Sequence, residues 1–103
     1  MSARILQINF KFNLSPAELM EGFAPLVEAI ANLPGLRWKV WSLNEAEREF
    51  GGIYLFDDHA SADAYLAGPI VAQLGQHPAL HDITAKQFDV LEEPSAVTRG
   101  PIG

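Results

Sequence analysis

The sequence predicts a single α+β domain, in which four antiparallel strands run in the order βαββαβ and carry two helices on one face. Three observations predict it. The N-terminal run alternates apolar and polar residues with period two. A capped amphipathic segment follows it directly. The strand–helix–strand pattern then recurs after a short charged turn.

Residues 4–13, "RILQINFKFN", place Leu6, Ile8, Phe10 and Phe12 on one side of a strand and Gln7, Asn9, Lys11 and Asn13 on the other. Ser15 suits a helix N-cap, Pro16 the first helical position, and Glu18 completes a capping box with Ser15. Leu19, Phe23, Leu26, Val27 and Ile30 then recur at helical spacing. Pro25 lies inside that pattern and predicts a kink or a loosened turn. "LPG" at 33–35 ends the helix.

Residues 36–43 form the second strand, 44–49 ("NEAERE") a charged turn, and 51–56 ("GGIYLF") the third strand. The paired glycines predict a bulge or a close backbone approach. Asp57 or Asp58 caps a second helix whose buried stripe is Ala62, Tyr65 and Leu66. Gly68-Pro69 interrupts it, "IVAQL" (70–74) adds a further turn or two, and "HPALHD" is a loop. Residues 83–91, "ITAKQFDVL", are the fourth strand. These elements give a domain over 1–94 and a C-terminal tail over 95–103, loose or laid on another chain. Right-handed crossovers make the product ferredoxin-like.

At 103 residues, 49% hydrophobic and 19% charged, the composition is that of one globular domain and argues against disorder. The net charge is −6, from seven Lys+Arg against thirteen Asp+Glu. That balance argues against nucleic acid and anionic membrane surfaces as partners. The absence of cysteine excludes disulfides, thiolate metal sites and a cysteine nucleophile. "MSARILQINFKFN" has no continuous apolar core of a signal peptide, and no run reaches the ~18 apolar residues of a membrane span. The expectation is a cytoplasmic protein.

Two helices cover one face of a four-stranded sheet. Yet the third strand is apolar on both sides, with Ile53 and Leu55 on one and Tyr54 and Phe56 on the other. The second strand puts Trp38 and Val40 on one side and Trp41 on the other. The expected open face carries Trp41, Tyr54 and Phe56 beside Gln7, Asn9 and Lys11. Each large aromatic buries about 150–250 Å² when covered, so the prediction is a homodimer packed sheet to sheet about a two-fold axis. The mixture of polar and apolar groups reads equally as a small-molecule pocket or as a wet seam between sheets.

No catalytic motif stands out. His59 opens a helix, and His77 and His81 flank Pro78, a poor metal spacing, so no metal site is expected. Asp57-Asp58 reads as a cap. Lys39 and Lys86 read as surface or rim residues.

"LPGLRWKVW", "GGIYLF" and "FDVLEEP", with "AYL" and "LQINFKFN", resemble the motifs of the YdhR-like putative monooxygenase family over nearly the whole chain to Pro94. That family is placed in the dimeric α/β-barrel superfamily. The resemblance implies oxygenation of an aromatic or quinol-like molecule without any cofactor, the deprotonated substrate itself reacting with O₂ in a pocket between helices and sheet or between paired sheets. Under that reading face alternation nominates Asn9, Trp41 and Tyr54 as catalytic donors and walls, and Gln7, Lys39 and Phe56 as substrate-binding residues. The alternative is a non-catalytic dimer that binds a small hydrophobic molecule. Haem breakdown, found elsewhere in the superfamily, wants an axial histidine on the second helix, and His77 lies past it.

Overall fold

A computed structural model describes residues 3–102. Strand β1 (Arg4–Phe12) is paired on both edges and so lies inside a four-stranded antiparallel sheet of order β2-β3-β1-β4, with β2 spanning Leu36–Asn44, β3 Glu49–Phe56 and β4 Leu80–Asp89. Helix α1 (Pro16–Ala31) connects β1 to β2. Helices α2 (His59–Leu66) and α3 (Pro69–Gln76) connect β3 to β4, and a short α4 (Glu92–Val97) follows. This is the expected βαββαβ ferredoxin-like subunit.

Local chemistry sets the helix starts. The Ser15 side chain accepts from the Glu18 N–H while the Glu18 carboxylate accepts from the Ser15 N–H, which closes the capping box. Asp58, not Asp57, caps α2 by accepting from the Ser61 N–H. Helix α1 runs unbroken through Pro25, on its exposed side.

The helix-side core joins two clusters. Leu6, Ile8, Ile30, Tyr54, Phe56, Ala62 and Tyr65 form one; Phe10, Phe12, Leu19, Phe23, Phe50 and Leu74 form the other. The expected open face is thereby corrected. Register pairs Leu6 with Tyr54, and Tyr54 with Lys39. Directly opposed residues share a face, so Trp41, Tyr54 and Phe56 lie under the helices with Leu6 and Ile8. Gln7 and Asn9 face the other way. Alternation partitions each strand correctly but carries no inter-strand register, and register decides which halves belong together.

The open face carries Ile5, Gln7, Asn9, Trp38, Val40, Ile53, Leu55 and Phe88. Part of it is covered from within. The chain after α4 folds back so that the Trp38 indole Nε1–H donates to the Pro101 carbonyl at 2.8 Å and Ile102 packs on the cluster of Ala3, Leu55 and Val90. Val40 (56%), Ile53 (37%) and Phe88 (45%) remain exposed.

Strand β4 begins at Leu80, three residues before the expected start. Phe12 pairs with Leu80 and Lys11 with His81, and the register then shifts between Asn9 and Lys11, where Asp82 takes φ 53°. The break in pairing at this bulge is what makes the "HPALHD" stretch look like a loop.

Candidate active site between helices and sheet

Lys39 stands on β2, a sheet edge, and its side chain points under the helices beside Tyr54. The room for it comes from β3. Gly52 lies opposite Trp41, and a Cβ there would collide with Lys39 Cε. The missing side chain is therefore the lane along which Lys39 crosses the sheet. Gly51 serves a different purpose: a Cβ there would run into the Ile8 carbonyl, so it permits close approach of β1, as one of the two expectations for the glycine pair had it.

Lys39 Nζ lies 3.3 Å from the Trp41 ring centroid and 4.5 Å from that of Tyr54. Among the described residues no carboxylate forms an ion pair with it. Burial pulls its pKa from 10.5 down to about 7. The two ring faces act the other way, since aromatic quadrupoles favour the charged amine. The group is thus poised between neutral and charged forms near neutrality.

Tyr54 is 2% exposed, and its hydroxyl shares a 2.9 Å hydrogen bond with that of Tyr65 on α2. Burial raises the pKa of both phenols, so both stay protonated. Two hydroxyls share one hydrogen bond between them, which leaves one hydrogen to offer to a third oxygen. Phe56 stacks on Tyr54 (centroids 5.9 Å, planes 15° apart) and backs it from the core, while Phe23 meets Trp41 edge-on at 5.7 Å.

Lys39 separates two spaces. Inward lies a cleft of about 10 Å³, closed by Ile8, Phe23, Tyr54, Tyr65, Ile70 and Leu74. That is about the least a single water needs. Outward, between α1 and β2, a groove of about 310 Å³ is walled by Val27, Ile30, Leu36, Trp38 and Trp41. This is at the lower end of the size of small-ligand sites. Arg37 lies at the groove too, but its guanidinium is held by Asp57 (2.6 Å) and the Ile102 carbonyl (2.7 Å). A larger hollow of about 370 Å³ lies between the end of α1 and the α2–α3 turn. Its titratable lining is Asp58, spent on the α2 cap, and Tyr65.

The structure therefore brings together Lys39, Trp41 and Tyr54, with Phe56 behind them, and does not bring Gln7 and Asn9 to them. Those two line a shallow depression of about 340 Å³ on the open face with Thr84, Lys86 and Phe88. Lys39 is a half-buried group under the helices, with its amine between the Trp41 and Tyr54 rings. Tyr65 belongs to the site and was assigned only to the helix core. Its signal was available: a buried tyrosine on a core-facing stripe needs a polar partner. His59 pairs with Asp63 at 3.3 Å, and His77 Nδ1 accepts from the Ala79 N–H, so neither converges on Lys39.

The chain matches the family described as "putative mono-oxygenase ydhR" over residues 5–101. No curated protein matches it. Three solved structures show the same fold. NE2512, a protein of unknown function from Nitrosomonas europaea, superposes with TM-score 0.72 at 21% identity, covering 88% of this chain and 91% of that one. SnoaB, a cofactor-independent oxygenase from Streptomyces nogalater, gives 0.68 at 20% identity over 90% and 100%. The heme-degrader MhuD from Mycobacterium tuberculosis gives 0.64 at 20% identity over 84% and 95%. At such identities the likeness establishes the fold.

Proposed function

Because the chain belongs to the ydhR family of putative mono-oxygenases, we propose that it oxygenates a small aromatic or quinol-like molecule without a cofactor, at the seam between α1 and the sheet. The observation that carries this reading is the Lys39–Trp41–Tyr54–Tyr65 constellation. It sets an amine drawn towards neutrality between a groove walled by Trp41 on its outer side and the Tyr54–Tyr65 phenol pair on its inner side. The likeness in fold to a cofactor-independent oxygenase supports it.

In such a reaction the substrate supplies the electrons. For an anthrone-type ring the CH₂ carbon becomes C=O. One atom of O₂ stays on that carbon, and the other leaves with the two hydrogens as water. The protein's part is to hold the ring, favour its anion and exclude bulk water. Trp41, braced edge-on by Phe23 from inside, gives the ring an apolar wall, and the Tyr54–Tyr65 pair stands behind Lys39 with its unspent hydrogen.

The proposal includes a homodimer through the open sheet face, where Val40, Ile53 and Phe88 stand exposed. Exposed apolar surface argues for this pairing, through the face opposite to Trp41 and Tyr54. A partner sheet would also roof the Asn9 depression.

O₂ consumption with anthrone-type and quinol substrates, in protein stripped of metal and flavin, tests the reading. Turnover is expected to fall in Trp41→Ala and Tyr54→Phe and to persist in Asn9→Ala. Loss in Asn9→Ala with full activity in the other two moves the site to the open face. Saturable binding with no product identifies a sequestering protein instead.

A further inference from the structure

Resting on that reading, we infer that Lys39 is the proton acceptor of the site. Its amine takes the proton from an acidic phenolic or enolic oxygen of an aromatic ligand entering by the α1–β2 groove, and the ammonium so formed holds the resulting oxyanion. The ligand class is thereby narrowed to aromatic molecules that carry an acidic hydroxyl.

Position is the first ground. Lys39 lines both the outer groove and the inner cleft, and its Nζ lies over the Trp41 ring, so a ligand ring lying against Trp41 in the groove meets this amine, while the other charged group there, Arg37, is already engaged. Elimination is the second. The groups facing Lys39 can be named element by element. Strand β2 offers Arg37, engaged by Asp57 and the Ile102 carbonyl; β3 offers Tyr54; α2 offers Tyr65. Helix α1 presents Val27, Ile30 and Ala31, and α3 presents Ile70 and Leu74, none of them titratable. Both phenols are held protonated by burial and act as donors. Arginine stays charged and accepts nothing. Among the described residues that line these two spaces, only the Lys39 amine can take a proton near neutral pH.

Electrostatics is the third ground. Lys39 has no carboxylate partner among the described residues, so its ammonium is uncompensated in a low-dielectric setting. A ligand anion would provide the missing counter-charge. The transfer balances: the oxygen loses H⁺, the amine gains it, and a neutral pair becomes a contact ion pair between two ring faces. The Gly52 lane fits the same role, because it lets the amine sit under the rings instead of extending into water.

The test uses 4-nitrophenol, whose anion is yellow, and requires no oxygen chemistry. Wild-type protein at pH 6.5–7 (about the value to which Lys39 is drawn) is expected to turn bound probe towards the anion, seen as increased phenolate absorbance on titration. Lys39→Met is expected to abolish the shift. Lys39→Gln, which keeps a polar end, guards against a folding artefact of the first variant, and circular dichroism confirms the fold of each. In parallel, turnover of an anthrone-type substrate should fall about a hundredfold or more in Lys39→Met, with Lys39→Arg not restoring it. A full anion shift in both Lys39→Met and Lys39→Gln, or no probe binding by the wild type, overturns the assignment. A lysine-dependent shift without O₂ uptake on any substrate supports the assignment and sinks the oxygenase reading.

Discussion

At the scale of single residues, the glycine pair and the lysine beside it make opposed predictions. A Cβ at Gly52 meets chiefly the end of the flexible Lys39 side chain, which can move aside, and stands 3.1 Å from the Val40 carbonyl. Gly52→Ala is therefore expected to change stability by less than about 1 kcal/mol while displacing Lys39 and abolishing the phenolate shift. A Cβ at Gly51 meets the β1 backbone itself, so Gly51→Ala is expected to cost about 1–3 kcal/mol. Urea denaturation of the two variants separates the cases, and equal losses would contradict this account. The lysine adds a pH dependence. Its folded pKa, about 7, lies below the unfolded 10.5, so between those values the unfolded chain binds more protons and stability rises with pH. The cost of the buried charge is complete below about 7 and gone by 10.5. Lys39→Met should then be the more stable protein at pH 6, with an advantage that shrinks towards pH 10. Above about 10 the raised phenols of Tyr54 and Tyr65 work in the opposite direction, because the unfolded chain ionises first. Thermal melts of both proteins across pH 6–10 give the comparison.

At the scale of elements, what was legible depended on whether the determinant was local. "SPAE" carries its whole capping mechanism in four residues, and both halves of the capping box form. Ser15→Ala should cost about 1 kcal/mol, read by denaturant midpoint. The two-sided character of β2 and β3 was equally local, because alternation needs only one strand. Which side faces the helices was not local. It rests on the Leu6–Tyr54 and Tyr54–Lys39 register and on the bulge that sets Arg37 aside between Leu36 and Trp38. That is why Trp41 and Tyr54 could be nominated correctly as neighbours yet grouped with Asn9, which the sheet puts on its far side. The start of β4 escaped for a related reason: the bulge at Asp82 interrupts the alternation that signals a strand.

At the scale of the molecule, the tail and the open face decide assembly together. A standard interface buries about 800 Å² per partner, and the sheet offers Val40, Ile53 and Phe88 as exposed apolar anchors. The tail already covers Leu55 and packs against Trp38, with Arg37 and the Trp38 indole holding the backbone of Pro101 and Ile102. It therefore occupies one end of the face and leaves the rest open to the second copy proposed above. Two outcomes follow for a dimer formed this way. Ile53→Lys sets a charge in the middle of the remaining patch, beside its β2 partner Val40, and should give a folded monomer at micromolar concentration by light scattering. Deleting residues 98–103 uncovers Trp38 and Leu55, and should lower stability and promote association beyond the dimer, since the newly wet apolar surface has no partner in a two-fold pair. A wild type that stays monomeric at those concentrations removes the sheet-face dimer. The Lys39 site would survive that result, because every group in it comes from one chain and from the opposite side of the sheet.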